Sequence, residues 1–353
     1  MSTESSTGPA PAYGKRPAGG PFAFIGAFTG FYPAQAAEFS HLDPVTRFLY
    51  ASRSVILVIS AQAALIAGLL AATDRRFQVL PFVLLLLGYL VLHAISNLSN
   101  DYFGYRRGHD TADSPRRRYT LHPIASGAVT PRLLVTGLSV LSVLAVAIAV
   151  YFIALRGWPA VLLTVVGAVL LYAYDAAPRA LKELGLGEVA AFVVWGPLMI
   201  GGGYYVITGQ MDGAAYLASI PYGLGTASIL IGKHIDQRQF DTSQAQRTLP
   251  VLLGEQGARA LNRLVVVGMY VFTLVGVLFG ALSPLAVVVL LAAPRAIHAL
   301  RVMSAPAPAE PPAGYIGWPL WYHRVCLVHN RLFGWVFILG IAAGALVPGW
   351  RIG

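Results

Sequence analysis

The sequence predicts an all-α, polytopic membrane protein with about nine transmembrane helices. Two observations predict it. The 353 residues are 56% hydrophobic and only 11% charged, against about 25% charged in an ordinary soluble domain. Apolar runs of about 20 residues, the length that crosses a bilayer, recur along the chain and are separated by short polar loops. The net charge of +10 does not point to nucleic acid, because the arginines lie between apolar runs. Membrane topology and anionic substrates account for them.

Taken in order, residues 1–45 are rich in Ser, Gly, Pro and Ala and lack the basic-then-apolar pattern of a cleaved signal peptide. They read as a disordered cytoplasmic tail, in which "FAFIGAFTGFYP" forms a short interfacial segment. The transmembrane domain occupies 46–353, with spans near 54–72, 78–98, 133–155, 159–174, 188–207, 215–234, 262–281, 284–302 and 330–349. "GALSP" between the seventh and eighth implies a tight turn. "SAPAPAEPPAG" at 304–314 reads as a flexible linker. "GGGYY" at 201–205 permits close helix packing, and Trp318, Trp321, Tyr322 and Trp350 fit an interfacial aromatic belt. Cys326 is the only cysteine, which excludes an intrachain disulfide and a cysteine metal site.

The loops after the second, fourth, sixth and eighth spans carry Arg106, Arg107, Arg116, Arg117, Arg118, Arg132, Arg179, Lys182, Lys233, Arg238, Arg247 and Arg259. The opposite loops carry Arg75, Arg76, Arg156 and Arg351. The positive-inside rule therefore places the N-terminus and the richly charged loops in the cytoplasm of a multi-pass cell-membrane protein.

Two of the spans end alike. The second runs into "SNLSNDYFGYRRGHDTADSPRRR" and the sixth into "IGKHIDQRQFDTSQAQRTLPVLLGE". Ionisable groups at such depth are costly and mark functional sites. Asn97 and Asp101, four apart, share a helix face, and Asn100 adds a further oxygen. Asp236 and Asp241 stand at the other end. Carboxylates that face each other need a cation between them. Hard oxygen donors suit Mg²⁺, which binds through one or two carboxylates plus substrate phosphates. Arg107, Arg116, Lys233 and Arg247 would contact the remaining phosphate oxygens. The apolar bundle beside such a diphosphate site implies a hydrocarbon at the other end of the substrate. Positive-inside placement alone also accounts for Arg116, Arg117 and Arg118. His93, inside the second span, reads as a helix-packing hydrogen bond or an acceptor-orienting base. His109 and His234 flank the acidic ends, either as solvated loop groups or as phosphate contacts.

These segments resemble the UbiA superfamily of intramembrane prenyltransferases, most closely the 1,4-dihydroxy-2-naphthoate polyprenyltransferase branch of menaquinone synthesis. The first motif matches in Asn97, Asn100, Asp101, Gly108 and Asp110. The second matches in Asp241, Arg247, Thr248, Leu249, Gly254 and Glu255. "YAYDAAPRALKELGLGEV" and "WGPLMIGGGYYV" resemble the family segments between them, and the resemblance spans roughly residues 50 to 350. It implies nine helices around a central cavity with a polar cytoplasmic cap. It also implies Mg²⁺ and a prenyl diphosphate held by Asn100, Asp101, Asp110 and Asp241, and diphosphate contacts from Lys182, Lys233 and Arg247. Tyr172 or Tyr174 would then line the pocket of an allylic cation that a carbon of a small aromatic or lipid acceptor attacks. Three features depart from the family pattern: Gly104 stands where an aspartate is usual, with Asp110 or Asp113 nearby. Gln237 takes the place of the expected first acid of the second motif, Asp236 lying one residue further away. Ala245-Gln246 replaces a Gly-Lys pair. A terpene cyclase of the same fold, or a transporter with an intramembrane ion site, are the competing functions.

Overall fold

The computed structural model describes residues 23–29, 41–108, 122–125, 127, 129–315 and 317–347. Among them there is no strand, and nine helices are long and apolar enough to cross a membrane. They are α1 (Ser54–Thr73), α2 (Val79–Arg106), α3 (Pro131–Arg156), α4 (Trp158–Asp175), α5 (Gly187–Thr208), α6 (Gly213–Ser243), α7 (Leu249–Leu278), α8 (Pro284–Val302) and α9 (Tyr322–Leu346). Order begins ahead of residue 46. A short helix, Phe24–Thr29, buries Ala27, and Pro44–Ala51 forms another that Asp43 caps by accepting from the Val45 and Thr46 amides at 3.0 Å. The remainder of the predicted tail, 1–22 and 30–40, lies outside the described residues.

The antiparallel connectivity puts the start of α1 and α5, the end of α2, α4 and α6, and the start of α7 and α9 on one side of the bundle. α6 is the hub. It packs on α5, α7 and α9, while α1 bridges α2, α5 and α9. α1, α5, α6 and α9 are mostly buried, and α3 and α4 present most of their apolar surface outward, where lipid would lie. Small residues permit the close crossings. A Cβ at Gly223 would come 2.8 Å from the Phe192 carbonyl oxygen, and one at Gly196 would come 3.1 Å from the Gly223 Cα. The glycines of "GGGYY" are pressed against Tyr216, Leu163 and Tyr89, as close packing requires. Some buried polar groups pair between helices. Tyr222 donates to Gln62 Oε1 at 2.9 Å, and Gln62 Nε2 donates to the Arg331 carbonyl at 3.1 Å.

Four helices overrun their predicted ends. α2 continues to Arg106 and α6 to Ser243, because polar partners on neighbouring segments hold their last turns. α7 starts at Leu249, behind the Thr248 N-cap and a proline in its first turn, and breaks at Gly254, whose φ of 71° falls in the left-handed region. α9 starts at Tyr322 because Asp236 caps it. Pro197 lies within a π-helical stretch of α5, Val194–Gly201. A proline has no N–H to close the ladder, and a widened turn absorbs the mismatch. The Tyr89 hydroxyl donates to the Met199 carbonyl of this stretch at 2.6 Å. Tyr322, expected in an interfacial belt, is instead fully buried and donates to the Ala305 carbonyl at 2.8 Å. Trp350 lies outside the described residues.

Gly223→Leu is expected to cost about 1–3 kcal/mol through overpacking of the α5–α6 crossing. The melting temperature of the detergent-solubilised protein measures it, and an unchanged value would contradict the crossing.

Candidate active site

A cavity of about 750 Å³ lies between the helices. Leu85, Ile148, Leu163 and Val194 belong to its long apolar wall. Arg53, Asn97, Asn100, Asp175, Lys233 and His323 line it on the side of the bundle where α2, α4 and α6 end and α1 and α9 begin. A charged end on an apolar channel suits an amphipathic substrate with an anionic head.

Charge pairing organises the polar end. Arg53 is ion-paired with the fully buried Asp101. Its backbone is left-handed at φ 54°, a conformation that costs a side-chain-bearing residue roughly 1–2 kcal/mol. Asn97 Nδ2 donates to the Ser52 carbonyl at 2.9 Å, which joins α2 to the turn that carries Arg53. Lys182 Nζ bridges Asn100 Oδ1 at 2.7 Å and Asp175 Oδ1 at 2.6 Å. On α6, Lys233 feels the charges of Arg53, Lys182, Asp175 and Asp241. His234 Nδ1 lies 2.7 Å from Glu188 Oε1, both buried. Asp241 accepts from the Thr248 hydroxyl at 3.1 Å, so the end of α6 is tied to the cap of α7.

The structure therefore brings Asn97, Asn100, Asp101, Tyr174, Lys182 and Lys233 to one end of the cavity, with Asp241 within electrostatic reach. Other predicted residues stand elsewhere. Tyr172 is 58% exposed on the outer face of α4; two residues along a helix turn it about 200° from Tyr174, which lines the cavity. Asp236 is engaged at a helix start. Its two carboxylate oxygens accept from the Tyr322 and His323 amides at 2.9 and 2.8 Å and cap α9. Arg107 donates to the Ala176 and Ala177 carbonyls at 3.1 and 2.5 Å and pairs with Glu183 at 3.5 Å, so it ties α2 to the α4–α5 loop. The Arg247 side chain is exposed, while its backbone N–H donates to the Glu183 carbonyl at 3.0 Å. Asp110, Asp113, Arg116 and His109 lie outside the described residues. Sequence reasoning missed Arg53, Asp175, Glu188 and His323. Asp175 carried the same signal as Asp101, an acid at the end of an apolar run, and Arg53 stands immediately before one.

Among the described residues, no three His, Cys, Asp or Glu side chains converge as a ready-made metal cage. The donor set nonetheless fits a hard cation that keeps waters and shares phosphate oxygens. Asn100 and Asp175 already turn oxygens toward the same ammonium. The second oxygen of Asp175 and that of Glu188 are buried without a hydrogen-bond partner.

Comparison with known proteins decides the family. The UbiA prenyltransferase family model matches residues 61–324. The chain belongs to the UbiA prenyltransferase family. Among its relatives, the 1,4-dihydroxy-2-naphthoate octaprenyltransferase of Bacillus subtilis (strain 168) is 25% identical over 250 residues, covering 71% of this chain and 79% of that one. The enzyme of the same name from Mycobacterium tuberculosis (strain ATCC 25618 / H37Rv) is 29% identical over 246 residues, 68% of this chain and 80% of that one. Among solved structures, the apo UbiA homologue from Aeropyrum pernix K1 superposes with a TM-score of 0.59 at 19% identity, covering 81% of this chain and 97% of that one. A UbiA homologue from Archaeoglobus fulgidus bound to GPP and Mg²⁺ superposes with a TM-score of 0.55 at 14% identity, covering 84% and 99%. These superpositions establish the UbiA fold.

Asp236→Ala removes the acceptor from two amides at the start of α9 and is expected to cost about 1–3 kcal/mol of stability. Asp236→Asn, which keeps one carbonyl acceptor, should cost less. Equal melting temperatures for wild type and Asp236→Ala would contradict the capping role.

Proposed function

We propose that this protein transfers a prenyl or polyprenyl group from its diphosphate to a small aromatic, quinone-precursor-like or lipid acceptor, within the cell membrane and in a Mg²⁺-dependent reaction. The observation that carries the reading is one cavity, apolar along its length, whose lining at the bundle end shared by α2, α4 and α6 includes Arg53, Asn97, Asn100, Asp175 and Lys233. The names of the naphthoate-prenylating relatives support an aromatic acceptor. The homologue bound to GPP and Mg²⁺ supports the donor and the metal. The basic loops support a cytoplasmic polar end.

On this reading the diphosphate lies against Arg53, Lys182 and Lys233, and the prenyl chain along the apolar wall. Mg²⁺, held by Asn100, Asp101, Asp175 and Asp241, would neutralise part of the diphosphate charge. As the C1–O bond breaks, its electron pair leaves with the diphosphate oxygen, and the fixed cations offset that charge. The apolar wall keeps water from the allylic cation, and the face of Tyr174 stabilises it. A nucleophilic ring carbon of the acceptor then forms the new C–C bond, and its proton passes to the released diphosphate. Membership of the prenyltransferase family sets the transporter reading aside.

Asp101→Ala and Asp241→Ala are each expected to lower transfer from labelled prenyl diphosphate by at least about 10²–10³-fold. Chelation with EDTA should abolish transfer and added Mg²⁺ restore it. Full activity in both variants contradicts the site. A cyclic hydrocarbon formed without any acceptor would assign the cyclase reaction instead.

A further inference from the structure

The cavity wall also carries three polar side chains that diphosphate binding does not use. Trp195 Nε1 donates to Ser60 Oγ at 3.1 Å, and Ser60 Oγ lies 2.8 Å from His93 Nδ1. The His93 and Trp195 rings meet edge to face, with centroids 5.3 Å apart. The three residues come from α1, α2 and α5, and all line the cavity. Trp195 sits on the π-helical stretch of α5.

The hydrogen-bond directions assign the tautomer. An indole N–H can only donate, so Ser60 Oγ accepts from Trp195. The hydroxyl oxygen could also accept from His93, but Ser60 Oγ has no other acceptor among the described residues, so its proton is placed on the bond to His93 Nδ1. A neutral imidazole that accepts at Nδ1 carries its proton on Nε2. Nε2 makes no hydrogen bond to the described residues and is not among the atoms sealed inside the protein, so its N–H opens into the cavity that the ring lines. A prenyl chain offers no acceptor atom to that N–H, and an unpaired donor beside hydrocarbon is costly.

His93, Asn97 and Asp101 follow one another at intervals of four on one face of α2, and all three are buried. At 1.5 Å per residue, His93 lies about 6 Å below Asn97 and about 12 Å below Asp101. That interval is long enough to hold an aromatic ring between the diphosphate end and the His93 donor, in the part of the cavity that Trp195 also lines.

We infer that His93 Nε2–H binds a ring oxygen of the aromatic acceptor, and so selects for oxygenated rings and sets which ring carbon faces the prenyl C1. Ser60 and Trp195 are positioning residues that hold the imidazole in the donating tautomer. The inference rests on the prenyl-transfer reading above.

Steady-state kinetics with 1,4-dihydroxy-2-naphthoate and labelled geranyl diphosphate test it. His93→Phe should raise KM for the naphthoate about tenfold or more and leave KM for the diphosphate within about twofold. His93→Gln, whose amide N–H can donate, should recover most of the loss. Ser60→Ala, which frees the tautomer, should raise the naphthoate KM severalfold and serves as the decisive variant should Phe at 93 not fold. Transfer by the wild type with an unchanged naphthoate KM in His93→Phe, or in Ser60→Ala where that variant decides, overturns the inference alone. An equal rise in both KM values also overturns it. Absence of transfer by the wild type overturns the function reading as well.

Discussion

The arrangement depends on charge balance at one end of a membrane bundle. Asp101, Asp175, Glu188 and Asp241 are all nearly or fully buried there. A buried carboxylate without its partner costs about 3–5 kcal/mol, so each must be matched. Arg53 pairs with Asp101 and Lys182 with Asp175, while His234 lies in hydrogen-bonding contact with Glu188 and the Thr248 hydroxyl donates to Asp241. The partners come from different segments, so the pairing also sets the architecture. It carries α2 and α6 beyond their apolar windows, draws the α4–α5 loop over the cavity through Lys182 and Arg107, and holds Arg53 in a left-handed backbone.

The same network explains why the cavity has two characters. Helices α3 and α4 contribute apolar faces and little internal polarity, while the ends of α2, α4 and α6 contribute the charges. Gly104 leaves the end of α2 with one aspartate among its described residues. Asp175, on α4, lines the same region and shares the Lys182 ammonium with Asn100. The carboxylates of this site, Asp101, Asp175, Glu188 and Asp241, are thus distributed over four helices instead of two motifs.

The fold was legible in the sequence because apolar length is a local property: each span could be located from its own residues. The acidic ends were legible for the same reason, and Asn97, Asn100, Asp101, Lys182 and Lys233 do meet. What escaped depends on direction and distance. Tyr172 and Tyr174 are interchangeable in composition, yet only one faces inward. Asp236 looked like a ligand because its partners are two amides more than eighty residues later, not another charge. Arg53 gained its role from a contact with Asp101, 48 positions away. Asp175 carried the same local signal as Asp101, but its tie to Asn100 through Lys182 is a tertiary contact.

The central claim is that these balanced charges open to receive a diphosphate together with a divalent cation. Calorimetric titration of the purified protein with a non-cleavable prenyl thiolodiphosphate, with Mg²⁺ and after chelation, tests it most directly. The account predicts binding with Mg²⁺ that weakens by roughly tenfold or more on chelation, a difference of at least about 1.4 kcal/mol. Equal affinity with and without the metal would contradict it.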